Sequence, residues 1–254
     1  IAKSVTVYRF PAGEKSKNLD TVKECYEQLI RHGFDRKDIL IALGGGVVGD
    51  LTGFVASTYL RGIRFVQVPT SLLSMVDSSI GGKTGVDFND YKNMVGAFYQ
   101  PKLVYINLAV LQSLPSNQFY SGMSEIIKHG LIKDYDYYTW IQKHASEIKA
   151  KNYSILAEMI DRSCRIKKEV VEEDPKENGI RALLNFGHTI GHSVEKLKNF
   201  TLLHGECVSV GMAAAAYLSL QRGYITQEQY EDVLQTLQAF EQPVAVQGLN
   251  AEAV

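Results

Sequence analysis

Apolar and polar positions along the first hundred residues switch repeatedly between two periods. From Thr21 to His32 apolar side chains recur at helical spacing (Val22, Tyr26, Leu29, Ile30), and Gly33 closes the run as a helix C-cap. Ile39-Leu-Ile-Ala-Leu43 is a short continuous apolar run ending in glycines, the pattern of a buried parallel strand. Val47 to Tyr59 reads as a helix, Phe65 to Pro69 and Leu103 to Ile106 as strands, and Val5 to Tyr8 as a strand entered midway. This alternation predicts a Rossmann-like α/β domain built on a parallel sheet. From Asn117 onward the helical period takes over, with helices predicted over Phe119–Ile132, Tyr137–Ile148, Ile155–Val171, Ala182–Lys196, Glu206–Arg222 and Gln227–Phe240. Leu114-Pro115-Ser116 is the expected boundary, with Ser116 as N-cap of the next helix. The expected layout is therefore an α/β domain over 1–115 and an all-α domain over 116–254, with ligands bound in a cleft.

Composition narrows the function classes. Of 254 residues, 45% are hydrophobic and 22% charged, as in ordinary globular proteins. A formal net charge of −1 supplies no global field for nucleic acid or an anionic membrane, and no apolar run approaches the roughly 20 residues of a membrane span. No secretory signal is evident, and Cys25, Cys164 and Cys207 are scattered without CxxC spacing. A disulfide framework is not expected, and a reducing cytoplasm is. The chain does not open on Met, and a preceding segment is expected to lie outside this sequence.

Candidate chemistry concentrates in a few stretches. Gly44-Gly-Gly46-Val47-Val48-Gly49-Asp50 follows a predicted strand and opens a predicted helix, with GxGxxG spacing at Gly44, Gly46 and Gly49. Glycines there let backbone N–H groups approach a pyrophosphate at a helix N-terminus. The acid that usually binds ribose at a second strand end is not evident, so a standard dinucleotide fold is not expected. Gly81-Gly-Lys83-Thr84 resembles the end of a P-loop, but the motif's first glycine would fall on Asp77, so that match fails. Lys92-Asn93 is a second basic-polar pair.

Arg181-Ala-Leu-Leu-Asn185-Phe-Gly-His188-Thr-Ile-Gly-His192, followed by His204, is the densest cluster. His188 and His192 project from one helical face. Neutral imidazoles suit Zn²⁺, and Arg with Asn suits an anionic, hydroxylated ligand. Glu125, in a predicted apolar helix with Lys128, would complete a three-ligand site with two of the histidines and leave one position open. Thr189 stands where a zinc protease of HExxH type needs its glutamate base, which disfavours a hydrolase.

Together the segments GGGVVGDLTGF, YLRGIRFVQVPTSLLSMVDSSIGGKTGV, KNMVGAFYQP, SEIIKHG, KKEVVEEDPKENGIRALLNFGHTIGH and LHGECVSVGM closely resemble the 3-dehydroquinate synthase family, in order and over nearly the whole chain. The resemblance implies a metal site of Glu125, His188 and His204 holding Zn²⁺ (or Co²⁺), with His192 as a pocket residue. It implies NAD⁺ bound by Glu14, Lys17, the Gly46-Val47-Val48-Gly49-Asp50 turn, Thr70, Ser71, Asp77, Lys83, Lys92 and Val110-Leu111-Gln112-Ser113. Substrate contacts would fall to Asp77, Lys83, Asn93, Lys128, Lys167, Arg181, Asn185 and His192, with Arg61 reaching a neighbouring subunit's pocket in a homodimer. The implied reaction, in the shikimate pathway, converts 3-deoxy-D-arabino-heptulosonate 7-phosphate to 3-dehydroquinate and phosphate. It proceeds by transient NAD-dependent oxidation, phosphate elimination, re-reduction and aldol closure. The family also carries an N-terminal adenosine-binding region and a C-terminal lysine that closes on the substrate, both expected outside this sequence. Related cyclases and metal-dependent polyol dehydrogenases share the turn and the ligands, but Arg181, Asn185 and Lys167 favour a carboxylate-bearing substrate. A non-catalytic homologue is expected to lack a ligand or a catalytic cation, and none is missing within the range this sequence covers.

Overall fold

The computed structural model describes residues 4–89, 91–175 and 177–249. They fall into two compact units, one of residues up to 70 together with 78–107, the other of residues 71–77 together with those from 108 onward.

The first unit is α/β. Helix α1 (Leu19–Arg31) starts on Asn18, whose side chain accepts from the Thr21 N–H. Strands β1 (Ile39–Gly44), β2 (Arg64–Pro69) and β5 (Leu103–Val104) form a parallel sheet in the order β1-β2-β5, with Ile39 opposite Arg64 and Val66 opposite Leu103. Helix α2 (Gly46–Thr58) packs on this sheet through Leu51, Phe54 and Val55, beside Val22, Leu29 and Phe65.

Two expectations change here. Val5–Tyr8 has no strand partner among the described residues, and Val5 and Val7 are exposed. Strand β1 is buried on one face only, since Ile41 and Leu43 are each about two-thirds exposed while Ala42 is buried. An antiparallel hairpin of β3 (Lys83–Phe88) and β4 (Tyr91–Phe98), absent from the predicted elements, lies against α2.

The second unit is helical: α3 (Ser116–Lys133), α4 (Tyr135–Lys143), α5 (Ala145–Lys149), α6 (Tyr153–Glu173), α7 (His188–Leu197), α8 (His204–Gln221) and α9 (Gln227–Ala239). Helix α3 is buried almost all round from Phe119 to Gly130 and packs against α4, α6, α8 and α9, so it forms the core. Its N-cap is Pro115, not Ser116, which is already the first helical residue. The helix predicted over Tyr137–Ile148 divides at His144, whose ring stacks on Trp140. The helix predicted over Ala182–Lys196 is likewise two pieces: a tight 3-10 turn over Ile180–Asn185, then α7. The break is Gly187 at φ +80, a left-handed conformation that resists any side chain. Its α-carbon also faces Met212 and the Val208 carbonyl on α8, where a Cβ would come within 2.7 Å. No described helix is long and apolar enough to cross a membrane.

Candidate functional site

Three donors converge in the second unit. Glu125 is fully buried in α3, and one of its oxygens lies 3.5 Å from His188 Nε2 and 3.4 Å from His204 Nε2. Local structure delivers each one. His188 is the first residue of α7, placed there by the Gly187 break. His204 is the first residue of α8, where Glu206 reaches back to accept from the Leu203 N–H at 2.7 Å. The α8 N-terminus is docked on α3 by Gly205, whose N–H donates to Ser121 Oγ at 3.0 Å, one turn before Glu125. A Cβ at Gly205 would fall 1.9 Å from the Ser121 carbonyl oxygen, so only glycine permits this approach.

Electrostatics sharpen the site. Burial alone would raise the Glu125 carboxyl, but the Lys128 ammonium and the two imidazoles hold it well below the usual carboxylate range. Lys128, 1% exposed, pairs with Glu125 and donates to the Leu184 carbonyl at 2.6 Å. Burial, and then the Lys128 charge acting against the Glu125 attraction, lower His188 to about 4, so its ring is neutral at pH 7. His188 Nδ1 lies 3.2 Å from the Phe186 carbonyl. A carbonyl only accepts, so Nδ1 carries the proton and Nε2 keeps its lone pair towards Glu125. For His204, burial lowers the pKa but Glu125 outweighs it and raises it.

These donors fit a divalent metal. Glu125 Oε1, the oxygen that faces both imidazoles, is buried without a hydrogen bond, while Oε2 pairs with Lys128. Donor atoms of Glu125, His188 and His204 lie within 4.8 Å of one another. Bond lengths of about 2.0–2.2 Å in a tetrahedral zinc site put neighbouring donors about 3.3 Å apart, close to the spacing seen here. His192 stands beside the set, its ring 5.3 Å from His188 and 6.2 Å from His204, and forms a second group with Glu195 and His204.

Other expected residues gather around this centre or lie within their own loops. Asp77 sits in a π-helical turn (Ser74–Ser78), where Lys167 Nζ donates to both its carbonyl and its carboxylate at 2.6 Å. Burial pushes the Asp77 carboxyl up, and Lys167 more than offsets this and lowers it. Arg181 is 2% exposed and donates to the Pro175 carbonyl, while Asn185 Nδ2 donates to Glu177. Val110 to Ser113 lie in and just beyond a 3-10 turn, anchored where Lys151 donates to the Leu111 carbonyl. His129, not singled out from sequence, is fully buried with neither ring nitrogen hydrogen-bonded, and burial lowers it to about 3.

In the first unit, Gly45 is the N-cap of α2 without a side-chain cap, so Gly46, Val47 and Val48 open the helix bare. A Cβ at Gly46 would meet Ser78 Oγ at 3.0 Å, so the turn packs closely against Ser78 at this point. Thr70 N–H donates to the Gly44 carbonyl at the end of β2, and Ser71 pairs with Ser74. Lys17, 5% exposed, donates to Asp50 at 2.8 Å and to Asn93 at 2.5 Å. Glu14 lies 3.6 Å from Lys92 and 4.0 Å from Lys17. Asn93 is left-handed at φ +56, held by its N–H donating to Asp87. Lys83 is exposed at the start of β3. Arg61 is exposed at φ +66, in a turn fixed where Arg36 donates to the Leu60 carbonyl.

The fold is that of dehydroquinate synthase-like sugar-phosphate cyclases. It is similar to the structure of ValA, the 2-epi-5-epi-valiolone synthase of Streptomyces hygroscopicus subsp. jinggangensis with NAD⁺ and Zn²⁺ bound. That likeness has a TM-score of 0.91 and 30% identity, and covers 96% of this chain and 69% of that one. A 2-deoxy-scyllo-inosose synthase complexed with carbaglucose-6-phosphate, NAD⁺ and Co²⁺ is similar at TM-score 0.89 and 29% identity, covering 98% and 68%. The 3-dehydroquinate synthase of Acetivibrio thermocellus is 48% identical over 250 residues, covering 98% of this chain and 69% of that protein. Family models for 3-dehydroquinate synthase match residues 7–121 (N-terminal) and 122–254 (C-terminal). The chain belongs to the 3-dehydroquinate synthase family.

Proposed function

We propose that this chain is an NAD- and divalent-metal-dependent lyase that converts 3-deoxy-D-arabino-heptulosonate 7-phosphate to 3-dehydroquinate and phosphate, in the shikimate pathway and in the cytoplasm. The observation that carries the reading is the Glu125, His188 and His204 donor set, in a chain whose two halves match the two family regions. NAD⁺ bound at the Gly46–Asp50 turn supplies a reversible hydride acceptor, and the metal ion a Lewis acid for the substrate hydroxyls. All other work falls to the chain's own groups.

Glu125 brings one negative charge and His188 a neutral ring, so the set is ready to bind with little proton release there. Lys128 balances the Glu125 charge and, with Lys167, places ammonium groups beside the donor set for the substrate's anionic ends. Lys83, Arg181, Asn93, Asn185 and His192 are assigned to further substrate contacts. Asp77 is assigned to the nucleotide and substrate, with Lys167 holding it ionised. Glu14, Lys17, Thr70, Ser71, Lys92 and Val110 to Ser113 are assigned to NAD⁺. Arg61, exposed on a left-handed turn, is assigned to the pocket of the other subunit in a homodimer.

The test is mass-resolved product analysis from the heptulosonate phosphate, with NAD⁺ and metal added separately. Phosphate and 3-dehydroquinate should appear together, without net NADH and only with both cofactors present. Steady NADH accumulation on simple polyols would assign the chain to a dehydrogenase instead. His188→Ala should abolish metal binding and turnover together, by more than about 1,000-fold in kcat if the ion acts as the Lewis acid.

A further inference from the structure

Glu195 carries no part of the reaction so far described, yet it is a carboxylate only 4% exposed beside the donor set. It lies on α7 seven residues after His188 and three after His192, on the helix face that carries both imidazoles. A carboxylate oxygen of Glu195 lies within 4.8 Å of a ring nitrogen of His192 and of one of His204. Taking a carboxylate out of water is costly unless opposite or hydrogen-bonding groups meet it, and imidazole N–H is such a group.

A metal-bound histidine gives one ring nitrogen to the ion and donates the other N–H to a carboxylate, carbonyl or water. That outer partner fixes the tautomer and ring rotation and makes the bound nitrogen more basic. His188 has such a partner in the Phe186 carbonyl. His204 turns Nε2 towards Glu125 at 3.4 Å, which leaves Nδ1 for a partner on the far side of the ring. We infer that Glu195 is the positioning residue that orients His204 for the metal and, through its proximity to His192, ties the ligand set to the substrate-facing histidine. This rests on Glu125, His188 and His204 being the ligands.

The experiment is a zinc titration of chelator-stripped full chain against a competing chromophoric chelator. It compares the native chain with Glu195→Gln, Glu195→Leu and His204→Ala, each checked for folding by circular dichroism. The native chain should bind one ion. Glu195→Gln, equal in shape but uncharged, should bind it about 10- to 100-fold more weakly, and Glu195→Leu at least as weakly. His204→Ala should lose it. Cobalt(II) provides a readout that packing loss alone does not move: at full occupancy Glu195→Gln should shift the visible bands, while Val194→Ala, a neighbouring core change, should not. Native affinity in both Glu195 variants, with binding lost in His204→Ala, overturns the inference and leaves the ligand set standing. Normal binding in His204→Ala refutes the ligand set and the inference with it. Two ions per native chain, the second lost in Glu195→Gln, would make Glu195 a ligand and also overturn the proposal.

Discussion

Two lysines keep carboxylates ionised inside the second unit, Lys128 at Glu125 and Lys167 at Asp77. Asp77 has its folded pKa below the ordinary aspartate value because Lys167 outweighs burial. A carboxyl lowered on folding contributes stability that is fully present above its unfolded pKa, about 3.9, and is lost as pH falls through the folded value. Lys167→Met should therefore lower urea-unfolding stability most near pH 7. The gap to the native chain should narrow as pH falls, because the carboxyl left under burial alone takes up a proton in the folded variant, and narrow further below about pH 4 as the native Asp77 is protonated. A gap that widens in acid would mean Lys167 acts on another group. At this scale sequence and structure diverge in a regular way. Residue type and spacing pointed to Glu125 with two of the three clustered histidines, while the choice of His188 and His204 came only with the family resemblance. The Lys167–Asp77 pair, buried His129 and Glu195 were not legible, because their neighbours come from packing between distant segments. Lys17 is instructive: the family resemblance implied a nucleotide contact, while the structure shows its ammonium joining Asp50 to Asn93.

Elements were legible wherever one period ran uninterrupted. Helices α1, α2, α6, α8 and α9 fall within about two residues of the positions that the 3.6-residue pattern indicates. The β3–β4 hairpin was not legible because its strands carry Gly85 and Gly96 facing each other, where a Cβ on either would approach the opposite backbone within 3 Å. Close backbone approach has replaced the alternating apolar side chains that mark a strand. The break at Gly187 escaped for a related reason, since glycine in a helical pattern does not reveal whether it is a kink or a contact. Gly205 makes the contact case testable. Gly205→Ala forces α8 away from Ser121 on α3, and that displacement moves His204 from Glu125. We expect a loss of about 1–3 kcal/mol in unfolding free energy, the usual cost of overpacking a core. Zinc affinity should fall at least about tenfold, because ligand geometry is disturbed as well as packing. Ordinary zinc affinity in Gly205→Ala would show that His204 is not delivered by this contact.

On the scale of the whole molecule, a net charge of −1 supplies no global field towards nucleic acid or an anionic membrane surface, and the shift from strand–helix alternation to helices alone marked the change of architecture. What composition and periodicity do not encode is association, because an interface is a property of surface geometry. Arg61 is the residue on which that question turns: exposed, on a backbone with Leu60 and Arg61 both left-handed, and so held by its surroundings rather than by its own preference. If Arg61 serves the other subunit's pocket, two inactive variants should complement each other. In a mixed dimer of Arg61→Ala and His188→Ala chains, the pocket of the Arg61→Ala chain keeps its own His188 and receives an intact arginine from its neighbour. The other pocket carries both lesions. Random pairing of equal amounts, by co-expression, makes half of the dimers mixed, so about one quarter of native phosphate release should return. Were Arg61 to act within its own chain, each pocket of the mixed dimer would carry one lesion and no activity would return. Recovery therefore reads the dimer and the direction of the arginine in one assay.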